Sequence, residues 1–353
     1  MKFKSFSVLA LILWSQAAIN LVAAQPAPFI APNLSASAAA STGPNASAAG
    51  TSDAKGINDW LLRMHESSKK RAYIGTYVVS SGGSMSTAKI WHLCEGNQQI
   101  ERVETLTGAP RTIFRHNDKV VTFLPEQKVV RTEKRESIAT FPELIQSADS
   151  RIGDFYTLKN DGVERIAGLE SDVVLLLPKD NLRYGYRVWT ERKKGLVVKL
   201  QTLDGAGQVL EQAAFSELQL DAPVKMDKLM QMMSKVEGYR PEQPALIKTT
   251  AKAEGWTLKT PVAGFKSMSC YKRPALSGAN SEEPMQWIFS DGLASVSLFV
   301  EPFDRQRHDK ETSMAMGATQ SMSKQLDAYW LTVMGEVPAL TLRAFAAALE
   351  RKK

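Results

Sequence analysis

The chain runs to 353 residues, enough for two domains with cores of their own. Its 44 Lys and Arg against 37 Asp and Glu leave a formal charge of +7, dispersed rather than blocked, which suits an acidic partner or an anionic lipid and carries no nucleic-acid module. The two cysteines, Cys94 and Cys270, make neither a C-x-x-C pair nor a zinc spacing; they read as buried thiols, with a disulfide between them as the alternative.

Residues 1–24 have the layout of a secretory signal peptide. Lys2 and Lys4 form its positive start, Phe6 to Trp14 its apolar core, and Val22, Ala23 and Ala24 the small residues before a cut. That core is short of the roughly 20 residues a membrane span needs, so cleavage and export are predicted. Residues 25–54 are rich in Ala, Ser, Pro, Asn and Gly, and read as a flexible tether.

A first domain is expected over residues 55–219. Ile57, Trp60, Leu61 and Met64 fall at helical spacing and predict a short amphipathic helix ending before Ala72. Strands then follow at Tyr73 to Val79, Ala88 to Cys94, Ile100 to Leu106, around Ile113, Val120 to Leu124 and Val129 to Thr132, with turn clusters between them. Phe141 to Ala148 is a helical interruption. Strands resume at Phe155 to Leu158, Val173 to Leu177, Arg183 to Thr190, Leu196 to Leu203 and Val209 to Leu218. Short loops favour antiparallel neighbours, and so large a sheet must curl as it twists. Helices in its concave side would complete a half-barrel with an apolar interior.

Residues 220–244 read as a linker, with one or two helical turns placing Met226, Met230 and Met233 on a face with Leu229. The second domain, residues 245–353, combines strands at Trp256 to Lys259, Phe265 to Tyr271 and Ala328 to Val337 with a helix that has Pro338 at its first position and Leu342, Phe345 and Leu349 as its stripe. The whole is an α+β protein. Within the second domain, Met285 to Phe303 reads as a β-hairpin. Asp291-Gly292 predicts a two-residue type I′ turn, which would face Phe289 with Ala294, Trp287 with Val296 and Met285 with Leu298 on one face.

Catalytic chemistry is hard to place. His65, His92, His116 and His308 share no metal spacing, and there is no G-x-S-x-G, P-loop or G-x-G-x-x-G. His308-Asp309 near Ser313 reads as a loop, and Asp154, Asp161 and Glu164 as turn carboxylates. The methionines cluster at Met226, Met230, Met232 and Met233 and again at Met314, Met316 and Met322. Thioethers are soft copper ligands, but they also fill cores and make adaptable surfaces, and that use is favoured here. No enzyme activity and no cofactor are expected: the pattern is that of a binding protein.

Trp60-Leu61-Leu62-Arg63-Met64 with Tyr73-Ile74-Gly75-Thr76-Tyr77, then Tyr184 to Trp189 with Gly195-Leu196, then Trp287 to Phe303 and Ala328 to Pro338, together resemble the MucB/RseB family of periplasmic regulators in order and spacing. The resemblance implies a lipoprotein-carrier-like first domain, an unclosed antiparallel β-barrel plugged by helices, and a smaller second domain. It implies a periplasmic protein that binds the periplasmic part of a transmembrane anti-sigma factor, shields it from the site-1 protease, and releases it on meeting lipid or lipopolysaccharide. Homo-oligomers are possible on this reading. Ile90, Trp91, Leu93, Val103, Val121 and Phe123 become candidates for a lipid cavity, and Trp287, Phe299, Phe303, Tyr329 and Trp330 for the partner surface. A lipid or lipoprotein carrier is the alternative, against which the second domain argues.

Overall fold

The computed structural model describes residues 56–57, 59–64, 66–67, 71–134, 152–243, 246–272, 283–308 and 310–352. The expected signal peptide, tether and helix at 141–148 lie outside these residues. No helix among the described residues is long and apolar enough to cross a membrane.

Helical residues 56–57, 59–64 and 66–67, together α1, open the described chain. α1 buries Ile57, Trp60, Leu61 and Met64, the predicted stripe, in one cluster with Tyr73, Ile90, Val103, Val188 and Phe215. Six strands follow as a meander: β1 (Tyr73–Ser81), β2 (Ser84–Glu95), β3 (Gln98–Thr105), β4 (Thr112–His116), β5 (Lys119–Leu124) and β6 (Val129–Lys134). After the single turn α2 (Ile152–Phe155) come β7 (Tyr156–Ile166), β8 (Leu169–Pro178), β9 (Gly185–Glu191), β10 (Val197–Leu203) and β11 (Val209–Leu220). With β12 (Arg240–Glu242) they form one open 12-stranded sheet in the order β12-β6-β5-β4-β3-β2-β1-β11-β10-β9-β8-β7. Cα atoms of β7 and β11 approach within 8 Å although three strands lie between them, so the sheet curls tightly at this end. The curl brings aromatic rings over Gly75. A Cβ there would stand 2.5 Å from the Phe215 ring, which meets Tyr73 and Tyr77 edge-on.

The connecting residues pack on this sheet instead of swinging free. α3 (Met226–Ser234) lies on the face opposite α1, with Leu229 against Leu93 and Ile100 and Met233 against Phe114, Val121 and Phe123. β12 then pairs parallel with β6, helped by an Arg131–Glu242 salt bridge at 3.1 Å. Asp161 and Glu164 are strand residues in β7 and not turn carboxylates. Asp161 meets Arg187 Nε at 2.6 Å, and Glu164 accepts a 2.9 Å hydrogen bond from the indole N–H of fully buried Trp189.

The second sheet has seven strands in the order β13-β15-β16-β17-β20-β19-β18. They are β13 (Ile247–Lys248), β15 (Lys266–Lys272), β16 (Met285–Ser290), β17 (Ser295–Pro302), β18 (Thr312–Met316), β19 (Thr319–Leu326) and β20 (Tyr329–Gly335). The helix α4 (Ala339–Ala348) covers one face with Leu342 and Phe345, which pack among Phe265, Phe289, Val296, Leu298 and Leu331. Pro338 caps α4 and does not occupy its first turn, and Leu349 leaves the helix to start β21 (Leu349–Arg351), which pairs with β14 (Trp256–Leu258).

The predicted hairpin forms, but its turn differs. The register is Ser290↔Ser295, Phe289↔Val296, Trp287↔Leu298 and Met285↔Val300, so four residues make the loop and not two. A type I′ turn needs positive φ at both central positions, and here Gly292 has φ 104° while Asp291 keeps a negative φ. Asp291 instead accepts backbone N–H bonds from Leu293 (3.0 Å) and Ala294 (2.8 Å) through Oδ1. The slip is two residues, so every side chain keeps its predicted face.

Candidate functional site

The six cavity candidates do not share a face. Ile90 pairs with Val103, and both join the cluster filled by α1. Strand side chains alternate, so Trp91 and Leu93 point the other way. Leu93 sits under Leu229 of α3, and Trp91 borders the same cluster beneath Arg102, whose guanidinium lies 4.3 Å from the indole. Val121 and Phe123 also belong to this second face, under Met233, with Tyr239 edge-on to Phe123. Ile90 and Val103 therefore line the α1 side, while Trp91, Leu93, Val121 and Phe123 seat the connecting helix.

The five partner candidates divide in the same manner. Trp287 is half-buried at the margin of the α4-side core, 4.6 Å from Phe289, with its indole N–H on Ser267 Oγ at 2.7 Å. Tyr329 also lies on that side, edge-on to Trp256 and under Arg351. Phe299 is half-buried on the opposite face, since its neighbours Leu298 and Val300 are the core residues of β17. Trp330 is buried and stacks on His308 at 4.9 Å, with Phe303 beside both rings.

A group absent from the sequence reading ties the two sheets together. Arg183, just before β9, donates from Nε to Asp291 Oδ2 at 2.8 Å, and both side chains are fully buried. The same guanidinium bonds Asp180 and donates to the Ala263 carbonyl at 2.6 Å. Its face lies 4.3 Å from the Phe155 ring. Tyr156 donates its hydroxyl to Asp291 Oδ2 at 3.3 Å, and burial pushes that phenol well above its ordinary range, with Asp291 adding to the shift. Burial also raises the Asp291 carboxyl, against the pull of its backbone donors and Arg183. Thr341 of α4 adds a hydrogen bond to the Leu182 carbonyl at 2.7 Å. The Asp-Gly turn signal located Asp291, but its local role as a turn former gave no hint of a partner 108 positions away.

Two family models match in order: the MucB/RseB N-terminal domain over residues 56–233 and the MucB/RseB C-terminal domain over residues 250–350. The chain belongs to the MucB/RseB family. The sigma factor AlgU regulatory protein MucB of Pseudomonas aeruginosa is 29% identical over 315 residues, 82% of this chain and 92% of that protein. The sigma-E factor regulatory protein RseB of Escherichia coli K12 is 24% identical, with 81% and 88% covered. Both names describe regulatory proteins. Among solved structures, MucB in complex with MucA(peri) superimposes with a TM-score of 0.64 at 25% identity, covering 84% of this chain and 98% of that one. A second MucA/MucB complex from P. aeruginosa gives 0.66, with 84% and 99% covered. The N-terminal family match takes in α3 up to Met233, in keeping with its packing on the first sheet.

Proposed function

We propose that this MucB/RseB-family chain is a non-enzymatic periplasmic regulator. It binds the periplasmic domain of a transmembrane anti-sigma factor, shields it from site-1 proteolysis, and lets go when lipid or lipopolysaccharide arrives. The observation that carries this reading is the match to both family domains, together with the likeness over 84% of the chain to a MucB bound to MucA(peri).

The lipid arm of the proposal rests on the α1 side of the first sheet. An acyl chain displacing α1 from Ile90 and Val103 would gain about 0.8 kcal/mol per buried CH₂. It switches the partner only through unequal affinity for the partner-bound and partner-free states. Phe299 and Phe303, half-buried on the face away from α4, are the partner candidates favoured over Trp287 and Tyr329, which border the core.

The test is calorimetric titration of the chain from residue 25 onward with the periplasmic segment of its own organism's anti-sigma factor, with and without a lipopolysaccharide fragment. Tight binding that weakens with lipid is expected. In the same assay Phe299→Ala should weaken binding more than Trp287→Ala. Absence of binding, with lipid retained by the protein, would overturn the reading in favour of a carrier.

A further inference from the structure

The two sheets touch at a second place, where the β18–β19 turn meets the first sheet. Gly317, with φ +59°, comes so close that a Cβ there would overlap Ser81 Oγ, and its backbone N lies 3.2 Å from where a Cβ on Gly82 would stand. Ala318 is fully buried and its backbone N–H donates to the Glu211 carboxylate of β11. Ser81 of β1 donates to the same carboxylate at 2.8 Å. The turn end of β18 is thus held, and the strand itself forms the outer edge of the second sheet.

An edge strand presents a row of unpaired N–H and C=O groups, which proteins ordinarily blunt with charge, proline, a bulge or brevity. The other outer strands of the two large sheets are blunted in this way. β7 carries Lys159, Asp161, Glu164 and Arg165, with a register break after Asn160. β12 has three residues with Pro241 in the middle, and β13 has two, ending in Lys248. β18 has none of these devices. Its five residues are uncharged, keep an unbroken register with β19 and are exposed throughout, Met314 at 68%.

The same strand extends the face that carries Phe299. Phe299 lies in register with Thr332, Ser323 and Thr312 on successive strands, and the next row runs Ser297, Met334, Ser321 and Met314. Met314 and Met316 therefore point away from α4, as Phe299 does, and their thioethers offer an adaptable apolar contact. The two-residue loop Gly317-Ala318 closes β18 on a hydrogen-bonded pair, so alternate residues bond β19 while Ser313 and Ala315 turn their N–H and C=O outward. A strand added to five residues buries far less than the roughly 1,200 Å² of a stable interface. A second copy paired at β18 alone would not hold, whereas a segment of a chain already seated on the Phe299 face arrives at high local concentration.

We propose that β18 receives an extended segment of the anti-sigma factor's periplasmic domain as an added strand, with apolar side chains at alternate positions against Met314 and Met316. The inference rests on the partner reading above and supplies the place and conformation of the bound segment.

Hydrogen exchange of the chain from residue 25 onward, with and without the periplasmic segment of its own organism's anti-sigma factor, tests this. The Ser313 and Ala315 amides should slow on the order of tenfold on binding, while β17, in the middle of its sheet, reports that the fold is intact. Ala315→Pro removes one outward N–H and spares the β19 ladder, since the open side of an edge strand admits proline. It should weaken binding on the order of tenfold. Met314→Lys, which blunts the edge with a charge, is the second variant and should weaken binding likewise. Binding without slowing at Ser313 and Ala315, or full affinity in both variants, would overturn the inference and leave the partner reading standing. Slowing that grows with protein concentration in the absence of the segment would give the edge to a second copy and overturn it too. Absence of wild-type binding would overturn both.

Discussion

The two places where the sheets meet are built from opposite electrostatics. At Arg183–Asp291 a buried cation is enclosed by Asp180, Asp291, a carbonyl and an aromatic face, so the charges are compensated within the protein. At Glu211 a carboxylate of the first sheet meets the second, and it is held by neutral donors, the Ser81 hydroxyl and the Ala318 backbone N–H. A satisfied buried pair gives a contact that holds across the ordinary pH range. A carboxylate held only by neutral donors brings no opposite charge across the junction. The difference is one of charge: an ion pair closes one end of the junction and neutral hydrogen bonds close the other.

The largest effect should come from Arg183→Ala. It leaves Asp291 buried without its cation, a loss of about 3–5 kcal/mol. Urea unfolding at pH 7 measures it, and a loss under about 1 kcal/mol would mean that the pair is dispensable. Glu336→Gln should act in the other direction, and only at high pH. A folded-state carboxyl raised to about 7 contributes stability that is complete below the ordinary glutamate range near 4.5, declines as pH rises between the two values, and is gone above the upper one. The variant should thus match the wild type at pH 4 and exceed it by about 3 kcal/mol at pH 8. Unfolding midpoints at the two pH values check this, and equal gains at both would remove the contrast between the contacts. The smallest change is Tyr156→Phe, which deletes one hydrogen bond to Asp291 and should cost about 1 kcal/mol with no pH dependence from 5 to 8.

Much of the fold is legible along the chain because the signals are local. The α1 stripe of Ile57, Trp60, Leu61 and Met64 is buried as its spacing requires. The strand runs fall where turn residues separate them, and Phe289, Trp287 and Met285 keep the face that their alternation sets. The misses have local causes too. Asp291 prefers to cap its own loop through Oδ1, which lengthened the turn by two residues. The β18–β19 hairpin was hidden in a Met- and Ser-rich stretch whose edge strand is wholly exposed and so lacks apolar alternation.

The candidate site was less legible. Alternation alone placed Ile90 and Trp91 on opposite faces, but which face meets α1 and which meets α3 depends on where two distant helices pack. Local periodicity is written in the chain itself, because a helix or strand presents side chains at a fixed interval whatever surrounds it. The strand order along the chain and the buried sides of α1 and the hairpin follow from it. Pairing at long range is a different matter. Arg183 with Asp291, and Glu211 with Ala318, become neighbours only when the curled sheet and the second sheet close on each other. A charge acquires its partner, and its proton affinity, from whatever that closure brings within reach and from how much water it removes.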